Sequence, residues 1–226
     1  GYFILPESLK KNNRRKFDIK RANPIGTLLS LRRYPIISGL LICIVLFNIA
    51  QHATHSTWTF FTIEKFNWSE DIVGYSLGFI GLLAAIVQGG LIRVVIPKLG
   101  NIKSVYFGMV FYILGLSLIS LAQESWMIFA FAIPLSLGGI SGPALQGIMT
   151  NNIPDDEQGE FQGGMTSLVS LTAIIGPLLM TNLFSYFTSE STYYYFPGAP
   201  FMLGAVLSIF GLVIAIKFLS GSKIKY

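Results

Sequence analysis

Charge is scarce in this chain. Asp, Glu, Lys and Arg make up 12% of its 226 residues, about half the share usual for a soluble domain, whereas 52% are hydrophobic. Reactive side chains are few as well, with a single cysteine, Cys43, and two histidines, His52 and His55. A lone cysteine inside an apolar run closes no internal disulfide and reads as a small buried hydrophobe. No Asp or Glu sits in the middle of an apolar run, so paired carboxylates for acid–base chemistry are missing. The stretch from Gly139 to Pro143 lacks the spacing of a nucleophile elbow, and no phosphate-cradling glycine loop occurs. His52 and His55 could both reach one ion, but a third ligand is wanting nearby. These gaps leave catalysis without an owner, so neither an enzyme nor a cofactor or metal site is expected.

What the chain has is long apolar runs. A helix needs about 20 mostly apolar residues to cross a bilayer, and six windows qualify: 35–61, 72–96, 104–122, 126–149, 161–187 and 198–219. The expected fold class is therefore an all-α membrane protein with six transmembrane helices. Residues 1–33 read as the end of a preceding helix, Gly1 to Leu5, followed by a basic cytoplasmic linker. Residues 34–220 form the six-helix domain, and 221–226 a short tail.

The net charge of +5 raises the question of nucleic acid, but its placement points to a membrane. Of sixteen Lys and Arg, nine precede Tyr34, three (Arg93, Lys98, Lys103) flank the turn after the second window, and three (Lys217, Lys223, Lys225) close the chain. Numbering the connections by alternating sides brings these fifteen together and leaves only Lys65 opposite. Lys and Arg near helix ends set orientation, so both termini and the turns at 97–103 and 151–160 are expected in the cytoplasm. The basic linker reads as a solvated connector near anionic headgroups, with no nucleic-acid partner.

Polar residues inside the windows carry the functional signal, because they are costly at membrane depth unless they face protein or water. Asn48, Gln51, His52, His55 and Thr59 recur every three or four residues along one face of the first helix. They either line a path, with a histidine taking a proton, or make the interhelical hydrogen bonds common in bundles. Trp58 and Trp68 read as an interface belt at the far end of that helix, and Ser69 with Glu70 and Asp71 as a helix start. Gly74 and Gly78 predict close approach of the second helix to a neighbour, and Gln88 contacts either a ligand or another helix. Pro97 is expected to end the second helix, with Gly100 making the turn. The third and sixth helices look featureless. In the fourth, Pro134, Gly138, Gly139, Gly142 and Pro143 predict a weakened stretch, with Gln146 near its inner half. Asp155, Asp156, Glu157 and Glu160 read as caps of the fifth helix or, secondarily, as a gate. Gln162, Thr166 and Ser170 form an i, i+4, i+8 stripe ahead of Gly176-Pro177, where a kink is expected. Phe184, Tyr186, Phe187 and residues 193–196 make an aromatic belt.

With these residues in view, the chain resembles the C-terminal half of the tetracycline-resistance subfamily of the major facilitator superfamily. The carriers are Leu5-Pro6-Glu7-Ser8 before the basic loop, the run from Phe60 to Ser69, the Gln88 to Lys103 turn, Gly138-Gly139-Ile140 with Gly142-Pro143-Ala144-Leu145-Gln146, and Glu157-Gln158-Gly159 through Gln162-Gly163 to Ile175-Gly176-Pro177-Leu178. The resemblance implies two inverted three-helix repeats, half of the major facilitator fold, in a bacterial inner membrane. It further implies proton-coupled efflux of a small amphipathic substrate by alternating access, with the N-terminal six-helix half of the same transporter as partner. The substrate path would include Asn48, Gln51, His52, His55, Gln88, Gln146, Thr166 and Ser170. Gly89, Arg93, Lys98, Gly100 and Lys103 resemble a degenerate cytoplasmic loop motif without its usual Asp, while Gly142, Pro143, Gly176 and Pro177 resemble gating bends. Some tetracycline exporters carry a histidine after Gly-Leu-Leu in the second helix; here Gly81-Leu82-Leu83 is followed by Ala84. The coupling carboxylates implied would lie in the N-terminal half. An intramembrane enzyme with a histidine base, or a membrane module without transport, are the rival readings.

Overall fold

With no water to satisfy backbone amides in hydrocarbon, an apolar chain of this kind must close its hydrogen bonds within helices. The computed structural model describes residues 35–220, and there the chain is helical almost throughout. The helices are α1 (Pro35–Phe66), α2 (Glu70–Ile86), α3 (Ile92–Leu121), α4 (Ser125–Leu137), α5 (Ser141–Asn151), α6 (Gln158–Thr188) and α7 (Ala199–Ser220). The expectations for residues 1–33 and 221–226 lie outside the described residues.

Among the described residues, five continuous helical runs are long and apolar enough to cross a membrane, yet they make six spans. The run from Glu70 to Leu121 covers 52 residues and is broken at Gly100, whose φ of 78° and ψ of 162° are not helical. A side chain would strain that conformation, which glycine adopts freely. The helix passes through Pro97, so the break falls three residues later than expected. A proline removes one N–H, whereas the positive φ at Gly100 redirects the chain. α2 and the first part of α3, joined by a π turn at Val87–Leu91, thus form the second span, and 101–121 the third. α4 and α5, joined by a 3-10 turn at Gly138–Ile140, form the fourth, in the glycine- and proline-rich stretch expected to weaken. α6 continues unbroken through Pro177.

The packing has an internal symmetry. The sixth span, α7, packs chiefly on the first and third; the first also packs on the fifth, the third on the fourth, and the second on the fourth. Exchanging spans one, two and three with four, five and six maps this pattern onto itself. Because three spans is an odd number, the second copy runs inverted, and two inverted three-helix repeats are the result.

The two helices that look featureless in sequence form the core together with α1. α3 buries Val105, Met109, Tyr112, Leu116 and Ile119, and α7 buries Phe201, Ala205, Ala215 and Leu219. The second span is instead the most exposed, and a Cβ added at Gly74, Gly78 or Gly81 meets nothing within 4 Å. Its glycine pattern therefore makes no close approach among the described residues. Close approach occurs at Gly108 and Gly115 of α3, where an added Cβ would stand 2.6 Å from the Ser141 nitrogen and 2.5 Å from the Leu135 Cα.

At the end holding the turns 67–69 and 122–124, Trp58 and Trp68 are buried and do not form a belt. Their indole N–H groups donate to Ser76 Oγ and Ser125 Oγ, each at 2.9 Å, since a buried Trp needs a partner for its one donor. Trp126, Tyr186, Tyr193, Tyr194 and Tyr195 are among the exposed aromatics there. Ser69 stands at the start of α2 without a side-chain cap bond, and Glu157 before α6 likewise makes none. The carbonyls at the end of α5 are met by Gln158, whose Nε2 donates to Thr150 O and Ile153 O at 2.8 and 2.9 Å.

Candidate functional site

Residues four apart on a helix stand one above the other, so α6 presents two parallel rows. One holds Gln162, Thr166 and Ser170, and the next holds Met165, Val169 and Ala173. Together with Gln146 of α5 they line an open groove of about 320 Å³. Thr166 Oγ1 donates its proton to Gln162 O at 2.9 Å, leaving lone pairs directed outward. The amides of Gln146 and Gln162 make no hydrogen bond to the described residues. The groove is thus lined by unspent donors and acceptors along one side and apolar surface along the other, with no charged or aromatic side chain in its wall.

The face of α1 is divided. Asn48 bonds within its own helix, Nδ2 donating to Ile44 O at 2.9 Å, and not to a neighbouring helix among the described residues. The imidazole of His52 packs against Gly176 of α6, and its buried Nδ1 has no hydrogen-bond partner. His55 is exposed, its ring centroid 6.2 Å from that of His52. Gln51 is half-buried and Thr59 exposed. Gln88 is exposed on the π turn of the second span. Two other hydroxyls on α1 turn to their own backbone: Thr57 donates to Ala53 O at 2.5 Å and Thr62 to Trp58 O at 3.0 Å, the usual outlet for such groups in helices.

Of the residues singled out from sequence, the structure therefore gathers Gln146, Thr166 and Ser170 into one groove with Gln162. It packs His52 against Gly176, in the middle of the same helix. Asn48, Gln51, His55 and Gln88 are not in the groove wall. The apolar row of Met165, Val169 and Ala173 was not foreseen, though the i, i+4 spacing that marked its polar neighbour would have located it. Arg93, Lys98 and Lys103 are exposed beside Gly89 and Gly100, and Pro143 is exposed next to the half-buried Gly142. Among the described residues no three His, Cys, Asp or Glu come together as a metal site.

Comparison with known proteins agrees with this architecture. The Major Facilitator Superfamily profile matches residues 94–225. The tetracycline resistance protein, class C, of Escherichia coli is 32% identical over 92% of this chain and 51% of its own length. The class E protein, also from Escherichia coli, is 36% identical over 66% of this chain and 37% of its own. The human hippocampus abundant transcript-like protein 1 is 24% identical over 95% of this chain and 47% of its own. The chain spans about half the length of the class C relative.

Proposed function

Given that this chain belongs to the Major Facilitator Superfamily, we propose that it is the C-terminal half of a proton-coupled exporter of small amphipathic compounds, of the tetracycline-resistance kind. The groove of α5 and α6 carries the reading. Hydrogen-bonding side chains at membrane depth are tolerated where they face protein or water, and Gln146, Gln162, Thr166 and Ser170 are gathered on one open concavity with spare bonding capacity. Substrate would bind there, between this half and an N-terminal six-helix half. That second half would cover the open second and fifth spans, which are symmetry mates. Rocking of one half on the other would then alternate access.

The placement of fifteen of sixteen Lys and Arg on one side favours an orientation with both ends of the chain in the cytoplasm, in a bacterial inner membrane. Gly89, Arg93, Lys98, Gly100 and Lys103 would serve as the inner turn between spans. Coupling carboxylates would come from the N-terminal half, since among the described residues Asp and Glu lie at helix ends and turns. His52 has an unpartnered ring nitrogen and packs against Gly176 of the groove-bearing helix.

The test is flux into proteoliposomes containing the complete protein. A pH gradient should drive uptake of an amphipathic probe such as tetracycline, and collapse of the gradient should stop it. Absence of gradient-driven flux for every probe of a broad drug panel would sink the transporter reading.

A further inference from the structure

We propose that His52 is a proton-binding site of this half, and that a proton on its ring parts the first and fifth spans at Gly176. The inference deepens the transporter reading by giving this half a group that answers to protons, and only its bearing on flux rests on that reading. His52 lies midway along α1, 17 residues from Pro35 and 14 from Phe66, where α1 packs on α6. Its Cγ and Cδ2 edge fills the notch left by Gly176, and the residues one turn either side of that glycine, Thr172 and Met180, are buried too. Wedged in this way the ring cannot turn, and its Nδ1, buried and without a hydrogen-bond partner, stays away from water.

A neutral imidazole tolerates that pocket, because only one of its nitrogens carries a hydrogen. A proton taken from water makes the imidazolium, in which both nitrogens are donors, and a buried donor without an acceptor is costly. The cost is relieved once the spans part and the ring can swing Nδ1 towards water. The two arrangements therefore differ in proton affinity, and a proton favours the parted one. His55 does not play this role: it is exposed in the packed state already, so a proton there does not tell the two apart. With the rings 6.2 Å apart and edge to face, two imidazoliums would repel, and the pair holds one proton at a time. Other titratable groups are remote. Of the helices packed on α1, which are α2, α5, α6 and α7, α5 has none, and α2 and α7 carry theirs (Glu70, Asp71 and Tyr75; Lys217) at or near the ends. On α6, Tyr186 and Glu160 stand 10 and 16 residues from Gly176, about 15 and about 24 Å along the helix. Tyr112 of α3 packs on Phe47, five residues before His52. On α1 itself Cys43 lies nine residues before His52, and Glu64 and Lys65 twelve and thirteen after it.

The experiment reads the spacing of the two spans in the complete protein, held in lipid nanodiscs. Spin labels are attached at Ile63→Cys and Tyr186→Cys, two exposed positions near the ends of α1 and α6, with every other cysteine replaced. The neighbouring rings of Phe60 and Phe184 have centroids 6.2 Å apart, so the labels should broaden each other's EPR lines while the spans are packed. With His52 wild-type, the broadening should be present at about pH 8 and lost at about pH 5, the range across which histidine titrates. His52→Gln and His52→Phe, which take no proton, should stay broadened at both values, whereas His55→Gln should respond as the parent does. A response missing from the parent, kept by either His52 variant or lost with His55→Gln would overturn the proposal. Flux in proteoliposomes, measured alongside, separates the two readings. The expected EPR pattern without gradient-driven flux counts against the transporter reading and leaves the proton site standing.

Discussion

The imidazole of His52 occupies the space that a side chain at position 176 would need: a Cβ built on Gly176 falls 2.6 Å from His52 Cγ. Glycine is what lets the first and fifth spans close on each other here, and the contact fixes where the histidine ring lies relative to the helix that carries the groove.

Gly176→Ala should therefore force the ring or the helix aside, at the cost of about 1–3 kcal/mol expected of overpacking. Thermal unfolding of the detergent-solubilised complete protein should show a lowered midpoint. Combining it with His52→Ala should recover most of that loss, because the clash partner is gone. Additive effects in the double variant would mean that the two residues do not meet.

Glycines of the second span should behave in the opposite way. Nothing lies within 4 Å of a Cβ at Gly74, Gly78 or Gly81, so Gly74→Leu and Gly78→Leu should leave the packing of this half intact. If another half covers that face, the same variants should weaken association of separately expressed halves by tenfold or more, roughly the effect of 1.4 kcal/mol. Co-purification of tagged halves reads this directly, and unchanged recovery would place the glycines against lipid.

How far the sequence could reveal this arrangement differs from residue to residue. The spans were legible because apolar runs between charged turns follow directly from the thickness of the bilayer. The stripe of Gln162, Thr166 and Ser170 was legible because polar groups stand out against an apolar ground. Which apolar helix is central was not, since lipid and protein interior favour the same side chains. α3 and α7 consequently looked bland although they bury Met109, Leu116 and Phe201. Asn48 shows a related limit: spacing puts a side chain on a face, but its bond to Ile44 O depends on a rotamer that spacing does not fix. Trp58 and Trp68 show the same limit, since a ring at a helix end can turn inward to a serine as readily as outward to a headgroup.

At the far end of α1, Tyr195 OH donates to Glu64 Oε1 at 2.8 Å, and Lys65 Nζ reaches Ser120 O at 3.4 Å. Burial, and then the bond and charge of Glu64, push the Tyr195 phenol up to about 12. A raised value means that the bond's contribution is intact below the ordinary tyrosine value of about 10 and is lost as pH rises through about 12. On this exposed surface it should amount to less than about 1 kcal/mol. A difference titration of tyrosinate absorbance between wild type and Tyr195→Phe should place this residue's transition well above 10. Glu64→Gln should bring it down, and an unmoved transition would show the bond to be absent in solution.

The adjacent glycines of the fourth span give the sharpest contrast. A Cβ at Gly138 would stand 2.5 Å from Tyr112 Cβ, whereas at Gly139 it would meet nothing within 4 Å. Tyr112 is anchored in turn, buried and with its ring centroid 4.7 Å from that of Phe47, so it has little freedom to withdraw. Gly138→Ala should accordingly lower the unfolding midpoint through an overpacking penalty of about 1–3 kcal/mol. Gly139→Ala should be neutral or slightly stabilising, since Ala favours the helical backbone by up to about 1 kcal/mol over Gly. The 3-10 turn at Gly138–Ile140 faces the π turn of the second span, and irregular turns of this kind often mark moving parts. Gly139→Ala thus also separates packing from motion. If the turn flexes during transport, flux should fall while stability holds, and a variant with both unchanged would show the turn to be a static feature of the fold.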